Sequence, residues 1–86
     1  MKNLQNLVKL SLLAPDELIV WNRRVKGVSH VATVTLDGNI RTEDGVIHKT
    51  PSGAAKHLNS NRPVDGWISW RVKRTGIQLS ELRKKL

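Results

Sequence analysis

The stretch from Val28 to His48, VSHVATVTLDGNIRTEDGVIH, decides the fold of this chain. Its β-branched and apolar residues alternate with polar ones, and two Asp-Gly pairs, Asp37-Gly38 and Asp44-Gly45, interrupt it at a short interval. Asp-Gly between alternating runs is a hairpin signal. A third break, Lys26-Gly27, precedes the stretch, and β-like residue types begin near Glu17. A meander of antiparallel hairpins is therefore expected from Glu17 to His48. A two-residue turn at Asp37-Gly38 would pair Thr35 with Ile40 and turn the threonine toward the core. A type I turn over Leu36 and Asp37, with Gly38 in the left-handed region, pairs Val34 with Ile40 instead. The second register keeps His30, Ala32, Val34 and Ile40 on one side of the sheet and is preferred. The register at Asp44-Gly45 stays open.

Helical patterns flank the meander. Leu4, Leu7, Val8 and Leu12 recur at helical spacing, with Asn3 as the expected cap and Pro15 as the expected stop. Thr50-Pro51 reads as a second helix start, the threonine capping and the proline at the first helical position. Ala54 and Ala55 are small enough to let that helix lie close to another backbone. Asn59 to Gly66 is loop-like, and Trp67 to Lys73 is expected to be a further strand. Ser80 is the expected cap of a last helix with Leu79, Leu82 and Leu86 on its apolar edge. The fold class is thus α+β: one small domain over residues 1–86, with an N-terminal helix, an antiparallel β-meander, a helix, a further strand and a C-terminal helix.

Composition limits what such a domain can do. In 86 residues, 38% are hydrophobic and the only aromatics are Trp21, Trp67 and Trp70. Each indole can bury roughly 150–250 Å², so each matters to a core this thin. With no cysteine, disulfides, thiolate metal sites and cysteine catalysis are excluded. No apolar run reaches the roughly 20 residues of a membrane span. Leu10 to Ala14 is too short for a secretory signal, so an intracellular, cytoplasmic protein is expected. Fifteen Lys and Arg against seven Asp and Glu give a net charge of +8, which points to an anionic partner, nucleic acid foremost.

The strand expected after Gly66 carries the most chemistry. There the odd separation of Trp67 and Trp70 puts them on opposite faces. Trp70 joins Ile68 and Val72 toward the core, while Trp67 joins Ser69, Arg71 and Lys73. An indole among cations suits base stacking beside phosphate contacts. The competing arrangement has a loop or the last helix covering Trp67. The remaining cations cluster at Arg23, Arg24 and Lys26 around the first turn, at Arg71, Lys73 and Arg74, and at Arg83, Lys84 and Lys85.

Catalytic arrangements are missing. His30, His48 and His57 lack metal-ligand spacing, no carboxylate pair is fixed by spacing, and Ser52 lacks a nucleophile-elbow context. No enzyme activity, metal or cofactor is expected. Ser52 sits at a helix start, where it either caps backbone or helps hold a phosphate.

In order and spacing, Ala32 to Ile40, Pro51 to Ala55, Gly66 to Trp70 and Leu79 to Arg83 resemble the RAMA domain, and Leu12 to Pro15 fits its opening. The resemblance implies a DNA-binding module associated with restriction and methylation that reads modified DNA, methylated adenine in particular. It implies DNA contacts at Ser52, Asp65, Trp67 and Arg83. Two positions depart from the pattern. Asp65 stands where the family carries Asn before Gly-Trp, and Pro15-Asp16 replaces a Pro-Gly turn. An ionised Asp accepts hydrogen bonds only.

The expected function is non-catalytic binding of duplex DNA, with Arg23, Arg24, Lys26, Arg71, Lys73 and Arg74 supplying salt-sensitive affinity. No enzymatic segment lies within these residues, so action by recruiting or occupying is expected. The alternatives are a protein-interaction or self-association module, docking on a methyltransferase, a nuclease or its own copy through a Leu-rich helix, and an RNA-binding domain.

Overall fold

The structure is a computed structural model that describes residues 4–23 and 26–85. Asn3, Arg24 and Leu86, to which roles were assigned above, lie outside the described residues. In chain order the elements are α1 (Leu4–Lys9), β1 (Leu18–Arg23), β2 (Val28–Val34), β3 (Ile40–Thr42), β4 (Ile47–His48), α2 (Pro51–Leu58), α3 (Gly66–Ser69), β5 (Arg71–Val72) and α4 (Leu79–Arg83). The α+β class and the element types flanking the meander are as expected, apart from α3.

Five strands form one antiparallel sheet in the order β4-β3-β2-β1-β5. Val34 pairs with Ile40, the register that keeps the apolar side chains together. At this turn the Gly38 amide donates to the Thr35 carbonyl and Gly38 has a φ of 80°. The second Asp-Gly repeats the solution, its Gly45 amide donating to the Thr42 carbonyl and Gly45 having a φ of 83°. That settles the open register: Ile40 pairs with His48.

Because paired residues share a face, Ile19, Trp21, His30, Ala32, Val34, Ile40, Thr42, His48 and Val72 all lie on one side. Leu4, Leu7, Leu13, Ala54, Trp70, Leu79 and Leu82 pack with this side into the core. The opposite side carries Leu18, Val20, Val31, Thr33, Arg41, Ile47 and Arg71 and is left uncovered by the described residues, with Ile47 59% exposed.

Turn chemistry explains how the helices reach their places. α1 ends before Pro15 acts: Ser11 turns left-handed at φ 60°, and the amides of Ser11 and Leu12 donate to the carbonyls of Val8 and Leu7. This is a Schellman cap with serine where glycine is usual. Asp16 does the work of the family's glycine in the Pro15-Asp16 turn, at φ 65° with Glu17 donating to Ala14. That is a type II turn. Thr50 caps α2 as expected, accepting from the Gly53 amide at 2.9 Å. Gln78 holds the N-cap position of α4 without a side-chain cap bond, and Ser80 lies inside the helix and does not cap it. Gln78 instead donates to the Ile68 carbonyl at 3.0 Å.

The expected strand from Trp67 to Lys73 is corrected. Its first part is the single turn α3, and only Arg71–Val72 is strand. Asp65 starts the turn by accepting from the Trp67 amide, and the Ser69 hydroxyl donates back to the Asp65 carbonyl. The period therefore changes from two to 3.6. Trp67 and Trp70, three apart, then fall on one face, both packing on the core, while Ile68 points outward at 55% exposure. The turn lies hard against α2: a Cβ on Gly66 would overlap the Pro51 carbonyl.

Gly66→Ala is expected to cost about 3 kcal/mol or more through this overlap, whereas Asp16→Gly should add about 0.5–1 kcal/mol by relieving left-handed strain. Urea unfolding of the two variants checks both signs.

Candidate nucleic-acid interface

Two short loops and a helix end bring one group of side chains together. Pro51 at the start of α2 accepts at its carbonyl from the Trp70 indole, 3.1 Å away. Next to it the Ser52 hydroxyl accepts from the Gly66 amide at 3.0 Å. One residue back, Asp65 Oδ1 accepts from the Trp67 amide at 3.0 Å. Ser52, Asp65 and Trp67 are thus fixed around the junction of two helix starts. Arg83 completes the group from α4, its guanidinium 4.4 Å from the Trp67 ring centroid. Trp67 is half-buried, one face on the core and the guanidinium on its ring. The last helix does cover it in part, as the competing arrangement held.

This contact has a chemical use. A guanidinium placed over an indole face is held by a cation–π contact that uses no N–H group, so its N–H donors are left for an acceptor. Arg83 has no acidic partner among the described residues. The Ser52 hydroxyl accepts one bond and retains its own hydrogen to donate. Asp65 has one oxygen in the cap and a second to accept with.

Of the other basic residues expected at the site, the described ones, Arg71, Lys73, Arg74, Arg23 and Lys26, lie elsewhere. Arg71 pairs with Val20 on the uncovered side of the sheet, so it does not share a face with Trp67. Its guanidinium donates to the Gly76 carbonyl at 3.0 Å. Lys73 is exposed in the turn beyond β5, and Arg74 is paired with Glu17 at 3.1 Å. The expected Trp67–Arg71–Lys73 face depended on a continuous strand and disappears with it. Arg23 lies near the far end of α2, bonded to the Leu58 carbonyl and to Asn59 Oδ1, and Lys26 borders the same region. Arg24 is outside the described residues.

Sequence reasoning missed the role of Trp21, which is half-buried with its ring 6.0 Å from Trp70 and 5.4 Å from His30. Arg23 lies over it at 4.7 Å. The alternation Ile19-Trp21-Arg23 was the available signal. Also missed was the pairing of His57 Nε2 with Asp44 at 2.6 Å, which ties the β3–β4 hairpin to α2. The His57 bond, helped by the Thr42 hydroxyl, holds the Asp44 carboxyl well below the usual carboxylate range.

The Nε2 atoms of His30 and His48 are each buried without a partner among the described residues. Burial pushes both below the ordinary histidine value. Arg23 adds to the effect at His30, and the neighbouring His57, 4.8 Å away, adds to it at His48. Among the described residues no group of three or more His, Asp or Glu is placed to hold a metal ion. Nor is any described helix long and apolar enough to cross a membrane.

A family model described as RAMA, Restriction Enzyme Adenine Methylase Associated, matches residues 2–86. The chain belongs to the RAMA family. The family's name puts this domain in association with restriction and adenine-methylation enzymes, and it describes an associated domain, not a catalytic one. No curated protein matches the chain. The four positions carried onto RAMA contacts, Ser52, Asp65, Trp67 and Arg83, are the four that the fold gathers at the α2–α3 junction.

The lowered histidines set a pH dependence. Below about 6.5 the unfolded chain takes up protons that folded His30 and His48 resist, so folding stability is full above that value and falls as pH drops through it. Urea midpoints measured from about pH 7.5 to about pH 5.5 should decline, and the decline should shrink in His48→Leu.

Proposed function

We propose that this RAMA domain is a non-catalytic DNA-binding module whose contact surface is the α2–α3 junction with Arg83. The observation that carries the reading is the Arg83 guanidinium over the Trp67 ring, beside the Ser52 hydroxyl and the Asp65 carboxylate. In this reading Arg83, oriented by the indole, donates in bidentate fashion to a phosphate or to the O6 and N7 edge of guanine. Ser52 adds a hydroxyl donor next to the start of α2, where helix-end amides favour an anion. The free Asp65 oxygen accepts from an exocyclic amine, of adenine or of cytosine. Adenine methylated at N6 still keeps one N–H to donate, so this contact is compatible with a modified base. The half-exposed Trp67 ring offers an apolar edge for the methyl group. Net charge supplies the sequence-independent, salt-sensitive part of the affinity.

A second reading, a protein-interaction module, is favoured by the uncovered sheet side with Leu18 and Ile47 exposed. Docking through the leucines of the first or last helix is not supported, because Leu4, Leu7, Leu79 and Leu82 are buried in the core. RNA binding would use the same junction and is separated by competition between matched duplexes.

Arg83→Gln should keep the fold, lower affinity for a methylated duplex roughly tenfold, and reduce the log–log salt slope by about one. Trp67→Ala should weaken binding by about 1–3 kcal/mol and also lower stability, since the ring packs on the core. Fluorescence titrations at two salt concentrations, against methylated and unmethylated duplexes, check these outcomes. Wild-type affinity for DNA with no change in Arg83→Gln would contradict the proposed surface.

A further inference from the structure

The opposite end of α2 carries a second arrangement that the junction does not use. There Ser60 and Asn61 are both left-handed, with φ values of 54° and 64°. Neither is glycine, and this conformation is strained for an L-residue, less for Asn than for most others. Two hydrogen bonds hold the turn: the Asn61 amide donates to the Lys56 carbonyl at 2.9 Å, and the Arg62 amide to the Asn59 carbonyl at 3.0 Å. Arg23 braces it from the sheet, donating to Asn59 Oδ1 at 2.7 Å. The result is a notch of about 150 Å³ lined by Lys26, Asn59, Ser60 and Arg62.

Its chemistry is one-sided. No acidic residue lines the notch, and neither Lys26 nor Arg62 has an acidic partner among the described residues. Two cations, a hydroxyl and a side-chain amide therefore border a small open space, beside a backbone strained without glycine. Strain of that kind collects at functional sites. The notch is far smaller than the roughly 300–1,000 Å³ of a small-molecule pocket. It has room for a tetrahedral oxyanion and leaves the rest of a ligand outside.

We propose that this notch is a second phosphate-binding site, with Lys26 and Arg62 as the charged donors and Ser60 as a neutral one. Its size suits a phosphate that projects from a larger molecule, as a nucleic-acid backbone phosphodiester does. Ser52 and Asn59 are seven residues apart along α2, two helical turns, which places them on the same side about 10 Å from each other. That spacing is close to three steps of duplex DNA at about 3.4 Å each. A duplex on the junction could extend along α2 and set a backbone phosphate in the notch. The nucleic-acid source rests on the DNA-binding reading, whereas phosphate binding itself does not.

The test has two arms on the full chain. In the first, inorganic phosphate is titrated at constant ionic strength and backbone amide signals are followed by NMR. Saturable shifts at Lys26 and Asn59 to Arg62 are expected, and they should vanish in the Lys26→Gln/Arg62→Gln double variant, whose replaced side chains are exposed. Absence of saturable shifts, or their persistence in the double variant, overturns the site. In the second, duplex DNA affinity of the double variant is measured at several salt concentrations. A loss on the order of tenfold, with a salt slope reduced by one or more, supports a backbone phosphodiester as occupant. Phosphate shifts with unchanged DNA affinity overturn that source and leave a free phosphorylated ligand. Phosphate shifts in a wild-type protein that binds no DNA would sink the DNA reading while upholding the notch.

Discussion

Everything at the candidate interface depends on how close α3 comes to the first turn of α2. Gly66 lies on the Pro51 carbonyl with no room for a side chain, and the Trp70 indole donates to that same carbonyl from inside the core. The two contacts work together. The indole bond fixes the depth at which the α2 start sits over the sheet, and the glycine lets the following turn meet it. Only at this distance can the Ser52 hydroxyl receive the Gly66 amide. A wider seam would separate Ser52 from Asp65 and Trp67, and no single binding surface would exist. The apolar half of Trp67 and its neighbour Trp70 belong to the core as much as to the surface. Trp67 thus contributes to stability as well as to the candidate interface.

The helices all cover one side of the sheet, and the charge is divided accordingly. Arg83 serves the α2–α3 junction, Arg23 and Lys26 lie near the far end of α2, and Arg71 is on the bare side. Acidic residues are used mainly in structure. Glu43 accepts from the Val31 amide beyond the end of the β2–β3 ladder, Asp44 binds His57 and Thr42, and Glu17 holds Arg74. Near the far end of α2, Lys26 and Arg62 are exposed and have no acidic partner among the described residues. A surface of this kind attracts a polyanion in a salt-dependent way.

Much of the architecture was legible because turns carry strong chemistry. The Asp37-Gly38 register followed from placing Val34 opposite Ile40, and Thr50-Pro51 announced α2 without ambiguity. Ser11 and Asp16 were less legible, since both are left-handed residues other than glycine and their conformation is imposed by the packing around them. The strand expected from Trp67 failed for a local reason. Alternating residue types over seven positions fit a strand as well as a helical turn followed by a short strand, and the Asp65 cap decided between them. Once the turn is helical, the partners assigned to Trp67 change from Arg71 and Lys73 to Arg83. Family resemblance named Ser52, Asp65, Trp67 and Arg83, but their meeting at one junction depends on tertiary contacts between residues up to 31 positions apart in the sequence. The notch by Ser60 was illegible because its defining feature is backbone conformation.

The most direct test of the account is to follow the three indole Nε1–H signals by NMR while duplex DNA is added. Contact at the junction predicts that the Trp67 signal shifts or broadens together with those of Arg83, while Trp70, whose indole is bonded to Pro51 in the core, stays in place. An unmoved Trp67, with changes confined to Val20, Val31 and Ile47 on the bare side of the sheet, would contradict it.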